Sequence, residues 1–143
     1  MPKKKSLHSE QADLFNIQEF LATAPCVPIL RQRVKQWRDE GYIGITKTTR
    51  DLLNYWFFTD HILPNGSLFK YHKAQKEAIE TLIYVYEVEK IRSRRELLEN
   101  YVMQQRNLRL PPNDDYSRFC IKMATGSGKT KVMALAIAWQ YFN

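Results

Sequence analysis

The sequence predicts an α/β protein, a helical leader followed by the start of a phosphate-loop α/β domain. Three observations carry that expectation. Residues 13–62 hold successive apolar stripes at helical spacing. Residues 118–123, RFCIKM, are apolar on both faces except at Lys122, the pattern of a central parallel strand. Directly after them ATGSGKT makes a glycine-rich turn that feeds an apolar helix pattern.

Composition narrows the possibilities. The 143 residues suit one domain, and 44% apolar with 26% charged residues is ordinary for a globular protein, which excludes wholesale disorder. The net charge of +7 fits a polyanionic partner such as nucleic acid. Cys26 and Cys120 form no Cys-x-x-Cys pair, so they read as two buried thiols rather than a disulfide or zinc framework. The start, MPKKKSLHSE, has no apolar stretch behind its lysines and is not a secretory signal. The run 132–139 is too short to cross a bilayer, so the expected location is cytoplasmic, with no membrane partner.

The elements follow in order. Residues 1–12 are a polar, frayed tail. From Asp13, Leu14, Ile17, Phe20 and Leu21 mark a helix that Pro25 ends. In VPILRQRVKQWRDEGY, Val27, Leu30, Val34 and Trp37 form one stripe, Arg31, Arg33, Lys35 and Arg38 fill the rest, and Gly41 stops it. A threonine caps the next helix, whose apolar face is Leu52, Leu53, Trp56 and Phe57. LPNGS at 63–67 is a turn. The strongest helix then places Ala74, Ala78, Ile79, Leu82, Ile83 and Tyr86 on its apolar face, with Gln75, Lys76, Glu77 and Glu80 near the polar one. A second, more polar helix covers 91–109, LPPNDDYS is a loop, and residues 42–46 are too short to complete a sheet beside the strand at 118–123.

MATGSGKT, residues 123–130, is a phosphate-binding loop in the required strand–turn–helix setting. Gly126 and Gly128 allow turns closed to residues with a Cβ, so that successive N–H groups converge on an anion. The helix opening near Lys129 adds unpaired N–H groups and a partial positive charge. Lys129 is the expected partner of the β- and γ-phosphates, stabilising charge during transfer, and the Thr130 hydroxyl the expected Mg²⁺ ligand. Thr125 and Ser127 supply small size and backbone amides. ATP and Mg²⁺ are therefore the expected cofactors.

Met123 stands where the general loop pattern has its first glycine. MATGSGKT in this form resembles motif I of superfamily 2 helicases and translocases, more narrowly the type III restriction subunit and excision-repair branch. That resemblance implies an upstream glutamine that reads adenine, and YHKAQKEAIETL supplies Gln75, followed by Ala78 and Ile79 as in the family's segment. Ala74 replaces the usual tyrosine, leaving Phe69, Tyr71 or His72 as stacking candidates. The resemblance covers 69–143, a RecA-like ATP-binding domain that is incomplete and carries a helical insertion at about 88–117. Arg92, Arg94, Arg95, Arg106 and Arg109 lie in that insertion as candidate backbone contacts or as a solvated charged face. Residues 13–62 more loosely resemble the leader of bacterial restriction-type proteins.

The resemblance implies an ATP-dependent helicase or translocase acting on double-stranded DNA, with a role in phage defence. A modification or specificity subunit is the implied partner. Hydrolysis needs a carboxylate pair and arginines of a second core domain, and no Asp-Glu-x-[HD] segment occurs here. The chain is therefore expected to be an N-terminal segment, inactive alone and marginal in stability until the rest of the polypeptide completes its sheet. The alternatives are a stand-alone nucleotide-binding regulatory module, a helical interaction piece, and an RNA helicase.

Overall fold

Pro28 opens the first helix among the described residues, α1 (Val27–Asp39), where its missing N–H costs no helical bond. The helix ends in a Schellman motif: Gly41 N–H donates to the Arg38 carbonyl and Tyr42 N–H to that of Trp37, both at 3.0 Å. Its hydrophobic contact is the edge-to-face pair of Trp37 and Tyr42, with ring centroids 4.9 Å apart. Thr46 then caps α2 (Lys47–Phe58), its Oγ1 accepting the Thr49 N–H at 3.2 Å. The computed structural model describes residues 24–102, 110–112 and 116–143. The expected tail at 1–12 and helix at 13–24 fall almost wholly outside them.

The expected turn at 63–67 joins a two-stranded antiparallel hairpin, β1 (His61–Ile62) and β2 (Leu68–Phe69), with His61 opposite Phe69 and Ile62 opposite Leu68. Helix α3 (Lys73–Ile83) follows and widens into a π-helical turn, Tyr84–Val88, in which Glu89 N–H reaches the Tyr84 carbonyl at 2.9 Å. Ser93 and Glu96 form a reciprocal capping box for α4 (Arg94–Tyr101). The helix expected over 91–109 is corrected at both ends: it starts only after the extended cap Ser93, and the chain turns extended again at Val102 (φ −108°, ψ 125°), while 103–109 lie outside the described residues. Helix α5 (Lys129–Phe142) closes the described chain.

One apolar cluster joins these elements. Leu30, Val34 and Trp37 of α1 and Leu53 and Trp56 of α2 pack with Ile79 and Ile83 of α3 and Leu135 and Trp139 of α5. The segments before and after the hairpin thus share a single core. No buried side-chain nitrogen or oxygen among the described residues lacks a hydrogen-bond partner. The described residues form a mixed, mainly helical structure compatible with the α/β class, and none of their helices is long and apolar enough to cross a membrane.

Three further expectations are corrected. Residues 118–123 form no strand and are largely exposed. A parallel strand needs ladder partners on both sides, and the described residues supply none. Cys120 is exposed rather than buried, because it lies in that unpaired segment, whereas Cys26 is half-buried. The inward face of α3 is also rotated: Gln75, Ile79, Glu80 and Ile83 are buried, and Ala74 is exposed. Polar partners from distant elements draw Gln75 and Glu80 inward.

Candidate nucleotide site

The loop is a tight turn before α5. The Ala124 carbonyl accepts both the Ser127 N–H at 3.3 Å and the Ser127 hydroxyl at 2.6 Å. Gly126 and Gly128 both sit at φ +78°, in the left-handed region. Gly128 is the N-cap of α5, and its carbonyl accepts from Lys131 N–H at 3.0 Å. Among the described residues no backbone carbonyl receives the N–H groups of Gly128, Lys129 and Thr130. The first turn of α5 carries no acidic residue. Thr125, Gly126, Lys129 and Thr130 are exposed, and Ser127 and Gly128 are half-buried.

Gln75 meets this loop from the other side. Its Nε2 donates to the Ser127 carbonyl at 3.1 Å, and its Oε1 accepts the His72 N–H at 2.9 Å, closing the first turn of α3. The residue is only 4% exposed. A Cβ on Gly128 would collide with Gln75 Nε2, so the absence of a side chain there is what admits the amide. The structure therefore brings Gln75 together with Ser127 and Gly128, which the sequence reading grouped by function alone.

The aromatic candidates separate. Phe69 lies beside the first turn of α5, with Lys131 Nζ 5.2 Å from its ring centroid. Tyr71 is enclosed edge-on by Phe57, His61 and Phe69, and burial pushes its phenol above the ordinary value. His72 is exposed.

The arrangement fits a phosphate chain. Unpaired N–H groups, a helix N-terminus, the exposed ammonium of Lys129 and open space beside Gly126 all lie within a few residues. For Mg²⁺ the exposed Thr130 hydroxyl offers one oxygen ligand. The described residues contain no group of three His, Cys, Asp or Glu side chains able to hold a metal. Mg²⁺ sites of this kind draw most of their ligands from phosphates and water, so one hydroxyl is a sufficient protein contribution at this point.

Two carboxylates escaped the sequence reading. Glu80, fully buried, accepts from Arg38 Nε at 3.1 Å, from Arg38 Nη2 at 2.5 Å and from Tyr42 Oη at 2.6 Å, with Lys76 Nζ 3.8 Å away. The bond to Glu80 raises the Arg38 pKa. Burial first, and then Glu80, raise that of Tyr42, whereas burial lowers that of Lys76. Glu87, in the π-helical turn, accepts from Thr46 N–H at 2.5 Å, Thr49 Oγ1 at 2.6 Å and Trp139 Nε1 at 3.2 Å. Their signal in the sequence is the seven-residue spacing of Glu80 and Glu87, which sets both on the stripe of Tyr84 and Ile83.

The basic candidates divide too. Arg31, Arg33, Lys35, Arg92 and Arg94 are exposed, Arg38 is committed to Glu80, and Arg95 pairs with Glu99 at 2.8 Å. Arg92 stacks on Tyr86, 3.6 Å from the ring centroid. Arg106 and Arg109 lie outside the described residues.

Residues 68–143 match the family described as type III restriction enzyme, res subunit. No curated protein and no solved structure matches the chain at a significant level.

Proposed function

Because the chain belongs to the type III restriction enzyme res subunit family, in which helicase-like nucleotide binding is ATP-dependent, we propose that residues 123–130 hold the triphosphate of ATP. The observation that supports this most directly is the pair of left-handed glycines leaving the N–H groups of Gly128, Lys129 and Thr130 unpaired at the start of α5. Lys129 neutralises the β- and γ-phosphate oxygens, and Thr125, Gly126 and Ser127 shape the turn. The Thr130 hydroxyl ligates Mg²⁺, which when bound offsets charge on the phosphates. Gln75 reads adenine: after its two internal bonds the amide keeps one N–H and one acceptor lone pair.

The wider reading is an ATP-dependent helicase or translocase of restriction-modification type, cytoplasmic, acting on double-stranded DNA. It works with a second core domain and with a modification or specificity subunit, in phage defence. In this reading 69–143 is the opening of a RecA-like domain. Turnover then requires carboxylates and arginines supplied by those further parts.

Isothermal titration of the folded chain with ATP and Mg²⁺ tests the site. Binding that Lys129→Ala abolishes is the expected result. Equal affinity in wild type and variant, or no binding to a folded chain, sinks the proposal. A second reading, a nucleotide-binding module without turnover, draws support from the single shared core and the satisfied buried polar groups. ATP binding with no release of ADP, even when DNA and the other subunits are supplied, would favour it.

A further inference from the structure

The structure links the leader to the phosphate loop through one buried polar joint. Trp139, on α5 and 1% exposed, donates its Nε1–H to Thr49 Oγ1 at 3.0 Å and to Glu87 Oε2 at 3.2 Å. Thr49, fully buried on α2, donates in turn to Glu87 Oε2 at 2.6 Å. Each of three elements contributes one residue: α2 the hydroxyl, the π-helical turn the carboxylate, and α5 the indole. Thr46, the cap of α2, adds its N–H to Glu87 and its hydroxyl to Asn143 Oδ1 at 2.6 Å.

We propose that Thr49, Glu87 and Trp139 are positioning residues for the phosphate loop, so that the helical leader sets the geometry of the nucleotide site. This rests on the reading of residues 123–130 as that site. Helix α5 is held at two places, at its N-terminus where Gln75 bonds Ser127, and three turns on at Trp139. Ten residues separate Lys129 from Trp139, about 15 Å along the axis. A tilt of about 4° at the distal anchor therefore moves the loop by roughly 1 Å, enough to misalign a phosphate contact. The joint is directional where the surrounding apolar contacts are not. Three donors converge on one carboxylate, which permits one rotation of Trp139 and one axial setting of α5.

The test compares Thr49→Val, which removes the hydroxyl, with Thr49→Ser, which keeps it, in the full chain. ATP with Mg²⁺ is titrated into each well below its melting temperature, with circular dichroism to verify folding. Losing one charge-assisted contact to phosphate predicts about tenfold weaker ATP binding in the valine variant and near wild-type binding in the serine variant. A role confined to stability would lower Tm in both and leave the dissociation constant of the folded protein unchanged, and that result overturns the proposal. If Thr49→Val does not fold, Trp139→Phe carries the same test with the same two outcomes. Lys129→Ala separates the two levels of inference. Loss of binding there with none in Thr49→Val rejects the positioning role alone, whereas no effect of Lys129→Ala rejects the nucleotide site as well.

Discussion

Gln75 Nε2 donates to the carbonyl of Ser127 at 3.1 Å, across a separation of 52 residues. The same amide binds the His72 N–H through Oε1, so one side chain both caps α3 and pins the loop. Contact between the two motifs depends on the residue next to Ser127 having no side chain.

Gly128→Ala is accordingly expected to cost more than Gly126→Ala. Both incur about 1–2 kcal/mol for a Cβ in the left-handed region. Only Gly128→Ala also displaces the Gln75 amide, since nothing lies within 4 Å of a Cβ built on Gly126. Urea unfolding of both variants, each alone and combined with Gln75→Ala, measures this. The Gly128 variant should be less than additive with Gln75→Ala, and the Gly126 variant additive.

Arg38 neutralises a carboxylate that has no exposure to water. Arg38→Met should destabilise the chain by about 3–5 kcal/mol, because it strands Glu80 with only Tyr42 and Lys76 as partners. The double variant Arg38→Met, Glu80→Leu should recover most of that loss. Denaturant midpoints read both effects, and equal stability of the two variants would contradict the pairing.

Alkaline pH should weaken the fold. Tyr42, Tyr71, Tyr84 and Tyr101 all have phenols raised by burial, with Glu80 beside Tyr42 and Glu89 beside Tyr84 and Tyr101. A group whose folded pKa is raised lends stability that is fully present below its unfolded pKa. That stability is lost as pH climbs from the unfolded pKa through the folded one, so the decline begins near about pH 10. Lys76 works in the opposite sense: its folded pKa is lowered, so its burial penalty is relieved as pH rises between the folded and unfolded values. The Cys26 thiol, also raised by burial, joins the four tyrosines against one lysine, and together they decide the net direction. Melting temperatures across that range should fall, and fall less steeply in Tyr42→Phe.

Leader and loop region should unfold together. Leu53 of α2 is 1% exposed in the same cluster as Ile79 and Trp139. Leu53→Ala is expected to cost about 2–5 kcal/mol. Hydrogen exchange should then show lost protection in α5 as well as α2. Faster exchange confined to α2 would mean the two regions open independently.

Much of this architecture was legible because its signals are local. Thr46 caps α2, LPNGS turns the hairpin and Gly41 ends α1, each through bonds within a few residues. The glycine turn ahead of α5 was legible for the same reason, since its two left-handed glycines stand directly before the residues that open the helix. The inward face of α3 was not. Glu80 is buried only because Arg38 and Tyr42 reach it from about forty positions upstream, and hydrophobic periodicity assigns a carboxylate to solvent. The strand at 118–123 failed for a related reason: its apolar pattern describes a place in a sheet, and a sheet is a property of several segments.

The widened turn at Tyr84–Val88 works as a phase corrector. At about 100° per residue, an unbroken α-helix would swing Glu87 roughly 120° away from the azimuth of Gln75 over twelve residues. The wider winding cancels part of that drift, so a single continuous rod can address the loop at one end and Trp139 at the other. Length is consequently rationed unevenly along the chain. Excising one residue inside the turn would spin every later side chain off target. An insertion just after Lys90 would not be absorbed, because Ile91 is buried in the core and its N–H bonds the Val85 carbonyl at 3.0 Å, whereas residues added at the exposed turn around Gly66 would only lengthen the hairpin.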